Sequence, residues 1–134
     1  MTETNQDIEL IFSFLKKLDI DPKETQKAPN IWRVKQAHSE IFIIVAGGFV
    51  IFQCKIMNVP KFNTATLYRK LLELNDNVQE SLGSSFGVNK NNEIILKMLR
   101  PLSHLEFTEF SYYLTSIAHV AEKHKPFLNE KFDA

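Results

Sequence analysis

Apolar positions along the chain fall into three helical and five strand-like patterns, in the order α-β-β-β-α-β-β-α. Ile8, Ile11, Phe12, Leu15 and Leu18 recur at helical spacing, and Thr4 followed by Asp7 offers that helix a capping start. Residues 21–29 are polar and punctuated by prolines, so they read as a connection, and residues 31–35 read as a short strand with Trp32 and Val34 on one side. His38 and Ser39 turn the chain into residues 40–55, EIFIIVAGGFVIFQCK, two strands joined at Gly47-Gly48. Asn58-Val59-Pro60 ends the third strand, because proline cannot donate to a ladder. Asn63 or Thr64 then caps a helix whose Leu67, Leu71 and Leu74 share a stripe, with Tyr68 and Leu72 beside it. Residues 84–88 and 93–99 form a second hairpin around a polar turn at 89–92. The last helix opens after Pro101, with a Ser103 to Glu106 capping box and a Leu102 to Phe107 staple. Its stripe is Phe107, Phe110, Leu114, Ile117, Ala118 and Ala121; Pro126 is expected to stop it near Lys125, with Phe127, Leu128 and Phe132 left in a tail.

The hairpin at 40–55 is apolar on both faces. Two glycines supply the positive φ angles of a two-residue turn, which sets Ala46 opposite Phe49, Val45 opposite Val50, Ile44 opposite Ile51, and so on to Glu40 opposite Lys55. One face then carries Ile41, Ile43, Val45, Val50, Phe52 and Cys54, and the other Phe42, Ile44, Ala46, Phe49 and Ile51. A sheet needs one such face for its core. The second calls for cover as well, so Phe42, Ile44, Phe49 and Ile51 are candidate residues for a partner surface or for self-association, with Leu67, Tyr68, Leu71 and Leu74 as a second candidate surface.

At 134 residues the chain is read as one domain spanning 1–134, large enough to hold a core without disulfide or metal. Sixteen basic and sixteen acidic residues cancel, and with a pI of about 6.9 the chain lacks the electrostatic footprint of a nucleic-acid binder. The lone Cys54 makes no internal disulfide and fits a reducing cytoplasm. The first ten residues are neither basic nor strongly apolar, and the apolar run at 41–52 is short and turn-broken, which speaks against export and membrane insertion.

Catalytic and metal patterns are weak. His38, His104, His119 and His124 match no ligand spacing, and His119 and His124 are five apart rather than four. Cys54 sits in mid-strand with nothing in sequence to activate it, and Glu106 and Glu109 read as a cap partner and a solvated residue. No glycine loop cradles a phosphate. The expectation is therefore a non-enzyme without cofactor or metal.

Several local signatures, taken in order, resemble the YbjN-like proteins and the related type III secretion chaperones of the CesT (Tir chaperone) class. They are the Trp32 strand opening and the strand pair after it, Val59-Pro60, the helix end Leu71-Leu72-Glu73-Leu74-Asn75, the strand from Gly83 to Phe86, Ile94 to Leu96, and the last helix running into Pro126-Phe127-Leu128. The resemblance implies an α+β fold, a twisted antiparallel five-stranded sheet flanked by helices, commonly as a homodimer with the second helix near its seam. It also implies a protein partner or client rather than a reaction. Chaperones of this kind are usually acidic; the neutral charge of this chain favours the YbjN-like side. The rival reading is a small-ligand or regulatory module of roadblock or profilin-like type, which a deep polar pocket would favour over a flat apolar face.

Overall fold

A computed structural model describes residues 5–132. Thr4, the expected first cap, lies outside them. The elements are α1 (Asn5–Lys17), α2 (Pro22–Thr25), β1 (Gln26–Ala28), β2 (Ile31–Gln36), β3 (Ser39–Ala46), β4 (Phe49–Asn58), α3 (Thr64–Asp76), α4 (Val78–Ser81), β5 (Ser85–Val88), β6 (Glu93–Pro101) and α5 (Phe107–Phe132). The strands form one antiparallel sheet in the order β1-β2-β3-β4-β6-β5. It has six strands rather than five. The extra one, β1, is a three-residue edge strand whose polar sequence, ahead of Pro29, carries no apolar alternation. The helix before it is also cryptic: Asp21 accepts from the backbone N–H of Lys23 at 2.9 Å, and Pro22 takes the first helical position.

The turn at Gly47-Gly48 has φ of 58° and 83°, and Ala46 pairs with Phe49, Val45 with Val50, Ile44 with Ile51, Ile43 with Phe52 and Phe42 with Gln53, as the sequence requires. This register sends Ile41, Ile43, Val45, Val50, Phe52 and Cys54 to the buried face. Trp32 and Val34 of β2 and Ile94, Leu96 and Met98 of β6 join them. Two helices cover that face. α1 contributes Ile11, Phe14 and Leu15, and α5 contributes Phe110, Leu114, Ile117 and Ala121. Rings of the three elements interlock, Phe14 against Phe110 at 5.1 Å and Phe110 against Phe52 at 5.5 Å.

α3 closes the β5 edge. Asn75 donates to the carbonyl of Phe86 and accepts from its N–H, at 3.1 and 2.7 Å, so an amide side chain pairs with the outer strand as a neighbouring backbone would. Leu67, Leu71 and Leu74 are buried beneath it. Asn63 does take the N-cap position of α3, in the left-handed region, but its side chain makes no cap bond.

Two features of α5 correct the sequence reading. The helix begins at Phe107, with Glu106 as its N-cap, and the Glu109 carboxylate accepts from the Glu106 N–H at 3.0 Å; Ser103 sits in an exposed turn. His104, with φ of 63°, reverses the chain between the expected cap and the real one. The helix also runs through Pro126 to Phe132. Proline removes one helical hydrogen bond, but Leu128 and Phe132 are buried beyond it, and Asn129 donates to the carbonyls of Lys125 at 2.8 Å and Ile56 at 3.1 Å. Burial of the tail outweighs the lost bond.

Removing the carboxylate in Glu109→Ala should lower unfolding stability by about 0.5–1 kcal/mol, the usual worth of an acidic group in the first helical turn. Ser103→Ala should leave the urea midpoint unchanged. The reverse ranking in a urea titration would restore Ser103 as the cap.

Candidate functional site

Because β2, β3, β4 and β6 are in register, residues on the face opposite α1 and α5 line up in rows across the sheet. One row joins Ile31, Ile44, Ile51 and Leu99, each paired with the next. It is apolar over four strands. Towards the hairpin turn the next row is Ala46, Phe49 and Pro101; on the other side it is Arg33, Phe42, Gln53 and Lys97. Phe49 is 39% exposed and Leu99 47%, and Phe42, Ile44 and Ile51 are half-buried, with neighbours in the sheet but outside the buried core. Contiguous apolar surface of this kind is uncommon on a protein that stands alone.

The other sequence candidates separate. Leu67, Leu71 and Leu74 are in the core and offer no surface, while Tyr68, 37% exposed, and Leu72, 67% exposed, lie on the outer side of α3. Sequence reasoning grouped them because the stripe that packs inward and the residues beside it share one helix. Phe127, expected in a loose tail, is partly exposed with Lys70 of α3 over its ring at 5.7 Å. Leu99 was missed, since a single apolar residue at a strand end gives no sign of its neighbours.

Beyond Phe42 and Gln53 the central hairpin parts. The ladder between β3 and β4 ends there, so the expected Glu40–Lys55 pair does not form. Glu40 instead meets Arg33 of β2 at 3.5 Å, and Lys55 meets Glu93 of β6 at 3.0 Å. Each charge has turned to its outer neighbour. A bulge in β4 between Lys55 and Met57 bends that strand away, and Asn129 holds the carbonyl of Ile56 from below. The fork encloses an open cleft of about 520 Å³ lined by Glu40, Phe42, Lys55, Asn58, Lys125 and Asn129, among others.

Among the described residues the site brings together no activated thiol and no metal-ligand cluster. Cys54 is buried, and desolvation raises its thiol pKa above 9.0 against the lowering effects of Lys125 and Ser39, so the thiol stays protonated. His38, His104 and His119 are exposed, and no group of three His, Cys, Asp or Glu among the described residues could hold a metal. His124 alone is buried; its Nε2 lies 3.1 Å from Glu80, which also meets Lys123 at 2.7 Å. No helix among the described residues is long and apolar enough to cross a membrane.

The family model CesT_Tir_1 matches residues 4–131. The chain belongs to that family. Comparison with curated protein sequences finds no match. Among solved structures, this family member is similar to a chain of the ExsC–ExsE complex, at a TM-score of 0.69 and 13% identity over 96% of this chain and 97% of that one. A chain of the ExoU–SpcU heterodimer from the type III secretion system of Pseudomonas aeruginosa gives a TM-score of 0.69 at 12% identity over 92% and 98%. YbjN, a putative transcription regulator from E. coli, gives 0.64 at 8% over 92% of each chain. The α+β fold of the secretion chaperones and YbjN is thus the fold of this chain.

The burial of His124 beside Glu80 makes stability sensitive to acid. Burial, the largest influence, holds the His124 pKa below its ordinary 6.5 despite the attraction of Glu80, so unfolded chains bind the proton first as pH falls below 6.5 and the folded state loses stability. Glu80, held below 4.5 chiefly by its hydrogen bond from Lys123, contributes stability that is present above pH 4.5 and fades beneath it. Urea midpoints should therefore fall between pH 7.5 and 5.5, and His124→Gln should flatten that fall. An unchanged slope in the variant would count against this account.

Proposed function

We propose that this family member is a non-catalytic, chaperone-like protein-binding module that holds a polypeptide partner on its uncovered sheet face. One observation carries the reading: the row Ile31, Ile44, Ile51 and Leu99 is apolar across four strands and faces away from both covering helices. An extended or partly unfolded segment laid there buries its own apolar side chains against the row, and Phe42 and Phe49 supply aromatic anchors at its two sides. The structural relatives support the reading, since one was solved as the HopA1–SchA chaperone–effector complex and another as the type III secretion chaperone SycH in complex with a fragment of YscM2. A cytoplasmic setting agrees with a reduced cysteine and with a client that must be met before it folds.

Self-association belongs to a different surface in this proposal. The outer side of α3 presents Tyr68 and Leu72 away from the sheet face, so a second copy there leaves the client face free. A specific interface needs about 800 Å² from each subunit, which an α3 surface and its surroundings can supply. The small-ligand alternative rests on the fork cleft alone, which is open and continuous with the apolar face.

In sedimentation at tens of micromolar, Leu72→Asp should convert a dimer to monomer while Ile44→Asp leaves the dimer intact. A photo-crosslinking residue at position 51, illuminated in native cell extract, should form adducts with a polypeptide partner, whereas one at position 90 in the polar turn should not. Equal adducts from both positions, or none from position 51, would overturn the proposal.

A further inference from the structure

We infer that the fork between β3 and β4 is an acceptor for an acidic side chain of the bound polypeptide, four residues along from the residue that covers the Ile44–Ile51 row. The inference rests on the open face being the polypeptide site. The cleft is bounded by Glu40, Phe42 and Lys55, on the uncovered side of the sheet, and by Lys125 and Asn129 of α5, on the covered side; it runs through the gap where the strands part.

Its charges are unevenly matched. Glu40 is met by Arg33 at 3.5 Å, Lys55 by Glu93 at 3.0 Å, and the Glu122 carboxylate at the far rim accepts from the His38 N–H at 2.6 Å. Every carboxylate at the fork therefore has a partner. Lys125 forms no ion pair among the described residues, although it lines both this cleft and the smaller one beside Pro126. Asn129 uses its amide N–H groups on two carbonyls and fixes the floor, which leaves the Lys125 ammonium, the exposed Asn58 amide and the N–H groups of Lys55 not turned to Glu93 as donors. A half-buried cation between donors, with its neighbouring anions already engaged, selects a carboxylate.

Spacing defines the partner further. From Ile44 through Phe42 to Glu40 is four residues of strand, about 13 Å at about 3.3 Å each. An extended segment running the same way carries an apolar residue over the row, a second at i+2 beside Phe42, and its acid at i+4 in the fork, because side chains two and four apart share one face.

A labelled extended peptide with valine at i and i+2 and glutamate at i+4, and its glutamine analogue, are titrated with the full chain by fluorescence anisotropy. The glutamate peptide should bind about tenfold tighter, as one charge-assisted hydrogen-bonded pair predicts. The preference should vanish in Lys125→Gln and survive in Lys125→Arg. Equal binding of the two peptides by the wild-type chain, still abolished by Ile44→Asp, overturns the acidic acceptor and leaves the open-face reading standing. Binding of free N-acetylglutamate as tight as the peptide makes the fork a small-ligand site and overturns it as well. If the wild-type chain binds neither peptide, both readings fall.

Discussion

The pairing of Ala46 with Phe49 across Gly47-Gly48 decides which side chains of the central hairpin meet α1 and α5 and which do not. Side chains alternate along a strand, so a slip of one residue in β4 would send Phe49 and Ile51 into the core and lift Val50 and Phe52 out of it. Phe110 would then lose the Phe52 ring it packs against. The same register extends outward to Ile31 in β2 and Leu99 in β6, and so converts an excess of apolar residues in one hairpin into a continuous row over four strands.

Much of this was legible because the hairpin signals are local. Two adjacent glycines fix the turn, and alternation fixes the faces; only the positions of the helices were needed to say which face stays uncovered. Features that depend on distant partners were not legible. Glu40 and Lys55 oppose each other in an ideal ladder, yet each finds a countercharge on its outer strand, and the neighbours of Lys55 in β6 lie some forty residues away in sequence. Pro126 is a strong local stop signal, overridden by the burial of Leu128 and Phe132. The sequence offers Ser103 as the cap with Glu106 as its partner, but the left-handed turn at His104 separates them and leaves Glu106 itself at the start of the helix.

The fork and the apolar row are consequences of one design. A sheet covered on one side tolerates a local separation of its strands if something supports the gap from behind, and the end of α5 does so through Asn129. Since that part of α5 lies beyond Pro126, its continuation past the proline shapes the polar end of the face as well as the core. The face therefore grades from apolar at Phe49 and Pro101 to charged at Glu40 and Lys55, and under the proposed function this grading would give a bound segment a direction. Family membership supplies the fold; this grading is written in the residues of this chain.

The most direct test of the central claim is methyl NMR of isoleucine-labelled protein with a soluble paramagnetic probe, before and after addition of the polypeptide captured at position 51. The account predicts strong broadening at Ile31, Ile44 and Ile51 in the free chain, none at Ile41 or Ile43, and recovery of the first three when the polypeptide binds. Protection of Ile44 and Ile51 in the free monomer, or broadening that the polypeptide leaves unchanged, would contradict it.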